Sequence, residues 1–498
     1  MITRWFVRRA DDRLRFSPLA RTGLNKVFPD HWSFMIGEIA LYSFMYLVAS
    51  GVFLTMFFEP SDARTTYEGS YAPVNGSEVS SAYASALRLS WDVRLGLVMR
   101  QSHHWAALLF TGAIVVHLCR IFFTGAFRKP REINWLVGLT LLLLAFVNGF
   151  AGYSLPDDLL SATGLRVANA VLLSIPVVGN WLSFLIFGGE FPAETMIPRL
   201  FVVHILVVPG LIIALISAHM IILIRQKHSQ FPGPGRRDTN VVGSRLWPGY
   251  AVRSIGLMFA VFAVALALGG LVQINPIWLW GPFEPGSATA PAQPDWYVGW
   301  VDGALRLWPA WEPDIIGYRL PAVFIPAVVM PGLTFLVLYL WPWLERLVTR
   351  DRRAHQVLER PRDRPGRVAV GVGALTFYGL LLLSFSLDVV ARYTGIPVFT
   401  LVYTFRVLVL VLPFITGSIG FVLARGLRDT GAEHLMQMGW SGVRVGLRRR
   451  RREPDFPEGQ ISPEQTEPEA HEPRPRRPEQ GLLPEEFDHL PVESGPVP

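Results

Sequence analysis

Residues 101–119 read QSHHWAALLFTGAIVVHLC, and residues 200–224 read LFVVHILVVPGLIIALISAHMIILI. Neither stretch holds a lysine, arginine, aspartate or glutamate. Each has about the length, ~20 residues at 1.5 Å rise, that a helix needs to cross ~30 Å of hydrocarbon. Both also carry histidines, which are costly in that setting and mark function. The first has His103, His104 and His117; the second has His204 and His219. From His103 to His117 the helix rises ~21 Å and stops ~40° short of four turns. From His104 the same count puts the two rings on nearly opposite faces, so His103 is the partner in register. From His204 to His219 the rise is ~22 Å, ending ~60° past four turns. Each helix is therefore expected to show two histidines on one stripe, one toward each membrane surface.

Outward from these two, the chain repeats the pattern. Uncharged or nearly uncharged runs at 39–58, 133–156, 254–283, 320–344, 368–387 and 407–425 bring the total to eight predicted spans. The composition agrees, with 51% hydrophobic and 17% charged residues, where soluble domains average roughly 25% charged. A ninth uncharged run, 167–189, is broken by Pro176, Gly179, Gly188 and Gly189. Eight spans with the N-terminus inside put the arginine-rich segments at 1–31, 128–131, 225–245 and 346–367 on one side, as the positive-inside rule requires. A ninth crossing would invert the later ones, so 161–189 reads as two short helices in the outer interface. The N-terminus is too charged for a signal peptide. After the Arg448–Arg452 cluster come 46 residues with 11 prolines and 12 acidic side chains, a composition expected to stay disordered. The cluster suits anionic lipid or a solvated linker equally. The net charge of +7 is accounted for by these inner segments and does not call for nucleic acid.

Two parallel spans with matched histidines place His103 opposite His204 and His117 opposite His219. A pair of imidazoles can fill both axial positions of a haem iron, and a six-coordinate iron suits electron transfer rather than oxygen binding. Taken singly, an intramembrane histidine also serves in proton relays or packing. Metal-transport sites gather histidines at closer helical spacing, and here the two levels are half a membrane apart. Gly37 and Gly51, and Gly138 and Gly152, repeat the separation of 14. Glycine lets backbone approach a flat group such as a porphyrin, although small residues equally serve helix–helix packing. Arg100 and Arg120 flank the histidines and are candidates for haem propionates, or for interface anchors. The single cysteine, Cys119, lacks the C-x-x-C-H of covalent haem attachment.

These features, with Gly152-Tyr153-Ser154-Leu155-Pro156 and Pro294-Asp295-Trp296-Tyr297, resemble cytochrome b of the respiratory quinol–cytochrome c reductase (bc-type) complex. The likeness covers about residues 28–427. The loops FPDHWSFMIGEIALYS, GYSLPDDLLSATGL and RQKHSQFPGPGRR are similar to its actinobacterial branch. The resemblance implies two non-covalent b-type haems, the low-potential one on His103 and His204 and the high-potential one on His117 and His219. It implies quinol oxidation at an outer pocket with Pro294, Asp295, Trp296, Tyr297 and Tyr153, and quinone reduction at an inner pocket. One electron would pass to a Rieske iron–sulfur partner and one across the membrane, with proton release outside and uptake inside. A c-type cytochrome subunit, a homodimeric complex, a supercomplex with a terminal oxidase and menaquinol as substrate are implied too. So is a bacterial plasma membrane with both termini cytoplasmic.

Asp295 departs from the family's usual glutamate by one methylene. Oxidising a quinol releases two protons, so an acceptor within hydrogen-bond reach is required, and Asp295 on the outer loop can serve. A helix cap is the plainer role for such a residue. Inner candidates are His31, Ser33, Lys227, His228 and Asp238, with Trp32, Glu38 and Arg225 nearby; quinone reduction consumes protons, yet the same residues suit ordinary cytoplasmic anchors. The expected fold is an all-α integral membrane protein of eight transmembrane helices. It divides into a cytoplasmic segment (1–31), a diheme four-helix bundle (32–240), C-terminal helices with the outer quinol loop (241–427) and a disordered cytoplasmic tail (428–498). The competing readings are a proton- or metal-coupled transporter and a different diheme membrane protein, such as the anchor of a periplasmic dehydrogenase.

Overall fold

The computed structural model describes residues 9, 11–13, 23–287, 293–315 and 317–429. All of them belong to one compact unit, Met1–Gly446. The expected tail lies outside the described residues from 430 on, the arginine cluster included, as does most of the N-terminal segment; Arg428 and Asp429, expected to be disordered, instead continue the last helix, Val398–Asp429.

Among the described residues, eight helices are long and apolar enough to cross a membrane: Trp32–Thr55, Gly96–Phe123, Glu132–Tyr153, Met196–Gln226, Leu246–Leu271, Ile325–Thr349, Pro365–Ser384 and Val398–Arg428. They are called spans one to eight below. The first four share one apolar core, formed by Ala40 and Phe44, Phe110 and Ala113, Leu141 and Ala145, and Val208 and Ile212. In every span this pair falls between the two levels marked by histidines or glycines. The middle of the bundle is thus a dry plug with polar positions above and below it.

The run at 167–189 does not cross. It forms two short helices, Leu159–Leu173 and Gly179–Phe187, separated at Pro176 and at Val177, whose φ is 68°. Asp158 caps the first, accepting from the Leu160 and Ser161 backbone N–H at 3.2 and 3.4 Å.

Span five ends earlier than its hydropathy suggests. The expected run to Phe283 is cut at Leu271, and the short helix Ile277–Trp280 follows. The chain leaves the helix at Val272, which is extended (φ −128°, ψ 109°), and Asn275, with φ 43°, stays out of the right-handed helical region that a residue before proline avoids. The freed backbone is met by span two. The Gln101 amide both donates to the Ile274 carbonyl at 2.9 Å and accepts from its N–H at 2.8 Å, and Trp105 Nε1 donates to the Val272 carbonyl at 2.7 Å. Span six likewise starts at Ile325 rather than Leu320.

Span four contains a π-helical turn, Val203–Val207, that includes His204. Pro209 supplies no N–H to the regular ladder, and a π turn inserts one extra residue. With that insertion, the 15-residue separation of His204 and His219 acts as 14. The pair on span four then matches the angular spacing of His103 and His117, and the ~60° overshoot is removed.

Candidate functional site: two histidine-walled cavities

At the outer level, His103 of span two and His204 of span four face each other with ring centroids 6.1 Å apart. Each ring is fixed by its Nδ1. Ser50 donates its one proton to the Tyr46 carbonyl at 2.7 Å, so its oxygen accepts from His103 Nδ1 at 2.9 Å. His204 Nδ1 donates to the Asn148 carbonyl at 2.9 Å. Both tautomers therefore leave Nε2 as a bare lone pair, the form in which histidine binds a metal. Two metal–nitrogen bonds of about 2 Å each suit that ring separation. At the inner level, His117 and His219 line a second cavity; His117 Nδ1 is buried with no hydrogen-bond partner among the described residues, and the Asn134 backbone hydrogen-bonds His219.

The four glycines back these rings one for one. A Cβ on Gly37 would come 3.0 Å from His117 Cε1, one on Gly51 3.4 Å from His103 Cε1, and one on Gly138 3.8 Å from His219 Cε1. A Cβ on Gly152 would collide with the His204 imidazole. In this structure the glycines thus lie against the imidazoles of the neighbouring span. Span one backs span two, and span three backs span four.

Arg100 lines the outer cavity and Arg120 the inner one. Arg100 Nε donates to Ser90 at 3.2 Å, but its Nη2 is buried without a partner, as are Arg120 Nε and Nη2. A buried guanidinium with idle donors is costly unless an anion meets it. At the outer level two Nε2 lone pairs and a guanidinium with an idle donor fit an iron porphyrin with its carboxylates, and at the inner level a second histidine pair lining one cavity with a second such guanidinium repeats the donor set. The residues present therefore suit haem at both levels.

The outer cavity also holds His104, Gly149, Tyr153, Asp158 and Asp295. Asp295 starts the short helix Trp296–Leu307. His104 Nε2 contacts both its carboxylate oxygens, at 2.8 and 2.9 Å, and Tyr297 donates to Oδ2 at 3.1 Å. Burial and the Asp295 charge hold the Tyr297 phenol well above its ordinary pKa, so it stays a donor. Tyr153 Oη is buried without a partner. Trp296 turns away from the cavity toward span two, within 3.6 Å of a Cβ placed on Gly112, and Pro294 does not line the cavity. Sequence reasoning missed His104 and Gly149. His104 was set aside because it lies off the ligand stripe, and that offset is what points it at the 295 loop.

The inner cavity brings together Glu38, Arg120, Arg131, His228 and Tyr250 with the two ligand-type histidines. Burial, with the cations Lys26, Arg131 and Arg120, lowers the His228 pKa to about 4. It is therefore a neutral imidazole, and its Nδ1 has no partner among the described residues. The other inner candidates do not reach the cavity. Ser33 N–H and Oγ bond His31 Nδ1 at 3.2 and 2.8 Å, and the His31 ring packs on Trp32, Phe34 and Phe231. Lys227 Nζ donates to the Thr239 carbonyl at 3.5 Å. Asp238 is spent bracing a loop, accepting from the Gln356 and Val357 backbone at 2.7 and 2.8 Å.

A family model described as cytochrome b (N-terminal)/b6/petB matches residues 108–282. The cytochrome bc1 complex cytochrome b subunit of Corynebacterium efficiens is 45% identical over 437 residues, covering 88% of this chain and 80% of that one. That of Mycobacterium leprae is 47% identical over 441 residues, covering 88% and 79%. That of Streptomyces coelicolor is 44% identical over 435 residues, covering 87% and 80%. Among solved structures, a chain of a hyperthermophilic respiratory Complex III superposes with a TM-score of 0.62 at 20% identity, over 84% of this chain and all of that one, a likeness of fold. Nothing among these supports a transporter. The chain belongs to the haem-binding, multi-pass cytochrome b subunits of the cytochrome bc1 complex, components of respiratory quinol–cytochrome c oxidoreductase.

Proposed function

We propose that the subunit oxidises quinol at the outer cavity and reduces quinone at the inner one. The observation that carries this is the doubling of one motif. At each end of a four-span bundle, a histidine pair from spans two and four is backed by glycines from spans one and three, beside a guanidinium with unpaired donors. His103 and His204 would hold the low-potential b haem and His117 and His219 the high-potential one, with Arg100 and Arg120 meeting their carboxylates. Bound there, the haems supply one-electron transfer between the cavities, while a Rieske iron–sulfur partner takes the other electron toward a c-type cytochrome.

The chain's own residues manage protons and position. Asp295 is the proton acceptor at the outer cavity, held on both oxygens by His104 and steered by the Tyr297 phenol. Tyr153 offers an idle hydroxyl to the ring oxygen of an incoming quinol. Menaquinol is the quinol assigned here, on the likeness to the actinobacterial branch, and Leu54, Phe58 and Phe201 give the outer cavity an apolar wall. We assign 32–240 to the diheme bundle and 241–427 to the helices that carry the outer loop. Both termini lie on the cytoplasmic side of the plasma membrane, and the complex is a homodimer able to join a terminal oxidase.

A reduced-minus-oxidised visible spectrum of the purified complex tests this directly. Two b-type components are expected. His117→Leu should remove the inner one and leave the outer partly occupied, and two undiminished components in that variant would show the ligand assignment to be wrong.

A further inference from the structure

At the inner end, one carboxylate on the cavity wall is surrounded by hydroxyl groups. Glu38, in the first turn of span one, accepts from Tyr250 Oη on one oxygen. On the other it accepts from Ser254 Oγ at 2.6 Å, with Tyr42 Oη 3.4 Å away. Tyr42 and Ser254 are themselves 2.5 Å apart. These groups come from two elements far apart in sequence, spans one and five. A nearby cation does not neutralise this acid: Arg253 donates to Asp30 at 2.8 Å, and Ser244 donates to the same Asp30 oxygen at 2.6 Å. Arg120, Arg131 and neutral His228 face the same cavity from span two, the start of span three and the segment after span four. Asp238 and Lys227, the other acid and amine expected near this site, are engaged elsewhere. A carboxyl exchanges protons readily, and a hydroxyl can donate and accept at once. This arrangement therefore suits proton transfer into the cavity better than simple bracing.

We propose that Glu38 delivers a proton to quinone in the inner cavity and is reloaded through the hydroxyls of Tyr250, Ser254 and Tyr42. The proposal rests on the reading of that cavity as the quinone-reducing site. Reduction of a quinone consumes two electrons and two protons. The electrons originate in the quinol oxidised at the outer cavity. In the step assigned to Glu38, the carboxyl O–H bond breaks and an O–H bond forms at one quinone carbonyl oxygen. The carboxylate left behind takes a proton from water at the inner surface through the hydroxyl relay.

The test uses the purified holo-complex with the outer cavity blocked, reduced, and then mixed with menadione. Reoxidation of the inner haem is followed optically, and an infrared difference spectrum is recorded on menadione binding. General acid catalysis is worth about 10²–10⁴-fold, so Glu38→Gln should slow reoxidation about 100-fold and abolish a carboxyl C=O band present in the parent. Glu38→Asp should restore part of the rate, and Tyr250→Phe should slow it about tenfold, the worth of one hydrogen bond to a charged group. If Glu38→Gln does not assemble, Tyr250→Phe decides alone. Parental rates and an unchanged infrared band would overturn the assignment. Ser229→Trp, at a cavity-lining position beside His228 and outside the spans that carry the histidine pair, scored at matched haem content, tests the underlying reading. If it leaves reoxidation intact, the cavity is not the quinone site and both fall. If it blocks reoxidation while Glu38→Gln and Tyr250→Phe behave as the parent, only the role of Glu38 falls.

Discussion

Gly149 of span three offers a one-carbon test of the outer cavity. A Cβ at this position would lie 2.5 Å from Tyr297 Oη and 2.8 Å from its Cζ, where ordinary contact begins near 3.4 Å. Tyr297 is 1% exposed and cannot swing into solvent, so Gly149→Ala must push the ring by roughly an ångström or bend the helix. Such overpacking costs about 1–3 kcal/mol. The phenol is one of the two groups holding Asp295, and a misplacement of ~1 Å at a reacting group can cost about 10²-fold in rate. Gly112→Ala is the internal control. Its Cβ would meet Trp296 of the same motif at 3.6 Å, an ordinary contact, and should change little. The assay is steady-state quinol–cytochrome c reductase activity of the purified complex at matched haem content. We expect Gly149→Ala to lose on the order of 100-fold in kcat with both haem components intact, and Gly112→Ala to stay within twofold. A Gly149→Ala enzyme as fast as its parent would show that the Tyr297–Asp295 geometry does not govern quinol oxidation.

Two other outcomes follow from the same side of the membrane. His104→Ala removes the imidazole whose Nε2 makes a bifurcated contact with the Asp295 carboxylate. Hydrogen bonds to charged groups are worth about 1.5–3 kcal/mol, so turnover should fall at least about tenfold with haem spectra unchanged, and unaltered turnover would make that contact incidental. Asp157, just beyond span three, is 8% exposed, and burial, with Asp62 and Asp158 adding, pushes its pKa from 3.8 up to about 7. The folded protein keeps a proton that the unfolded chain gives up between about pH 4 and 7, so stability falls as pH rises through that window, by on the order of 4 kcal/mol, and is flat above it. Asp157→Asn should raise the thermal midpoint at pH 8 and leave it nearly unchanged at pH 4, and parallel stability curves for the two proteins would refute the assignment.

The two levels of the bundle were legible from spacing because a helix has a fixed pitch. Histidines or glycines about four turns apart must recur on one face, and no tertiary information is needed to see them. The same holds for the short helices at 159–187, since proline and glycine interrupt the run and arginine placement opposes another crossing. Contacts between segments distant in sequence were not legible. Nothing local to residues 101–119 says that His104 meets a loop 191 residues away, or that Glu38 gathers hydroxyls from span five. Lys227 and Asp238 looked like cavity residues by position, but backbone groups in neighbouring loops claim Asp238 and Thr239 engages Lys227.

Hydropathy and periodicity thus determined how many times the chain crosses and which side chains share a stripe, because both depend on helix geometry and on the cost of charge in hydrocarbon. The tertiary structure alone decided how those stripes are aimed. The π turn at Val203–Val207 is the clearest instance. Its extra residue brings the span-four histidines into step with those of span two, and such a turn is stable only where the neighbouring packing holds it.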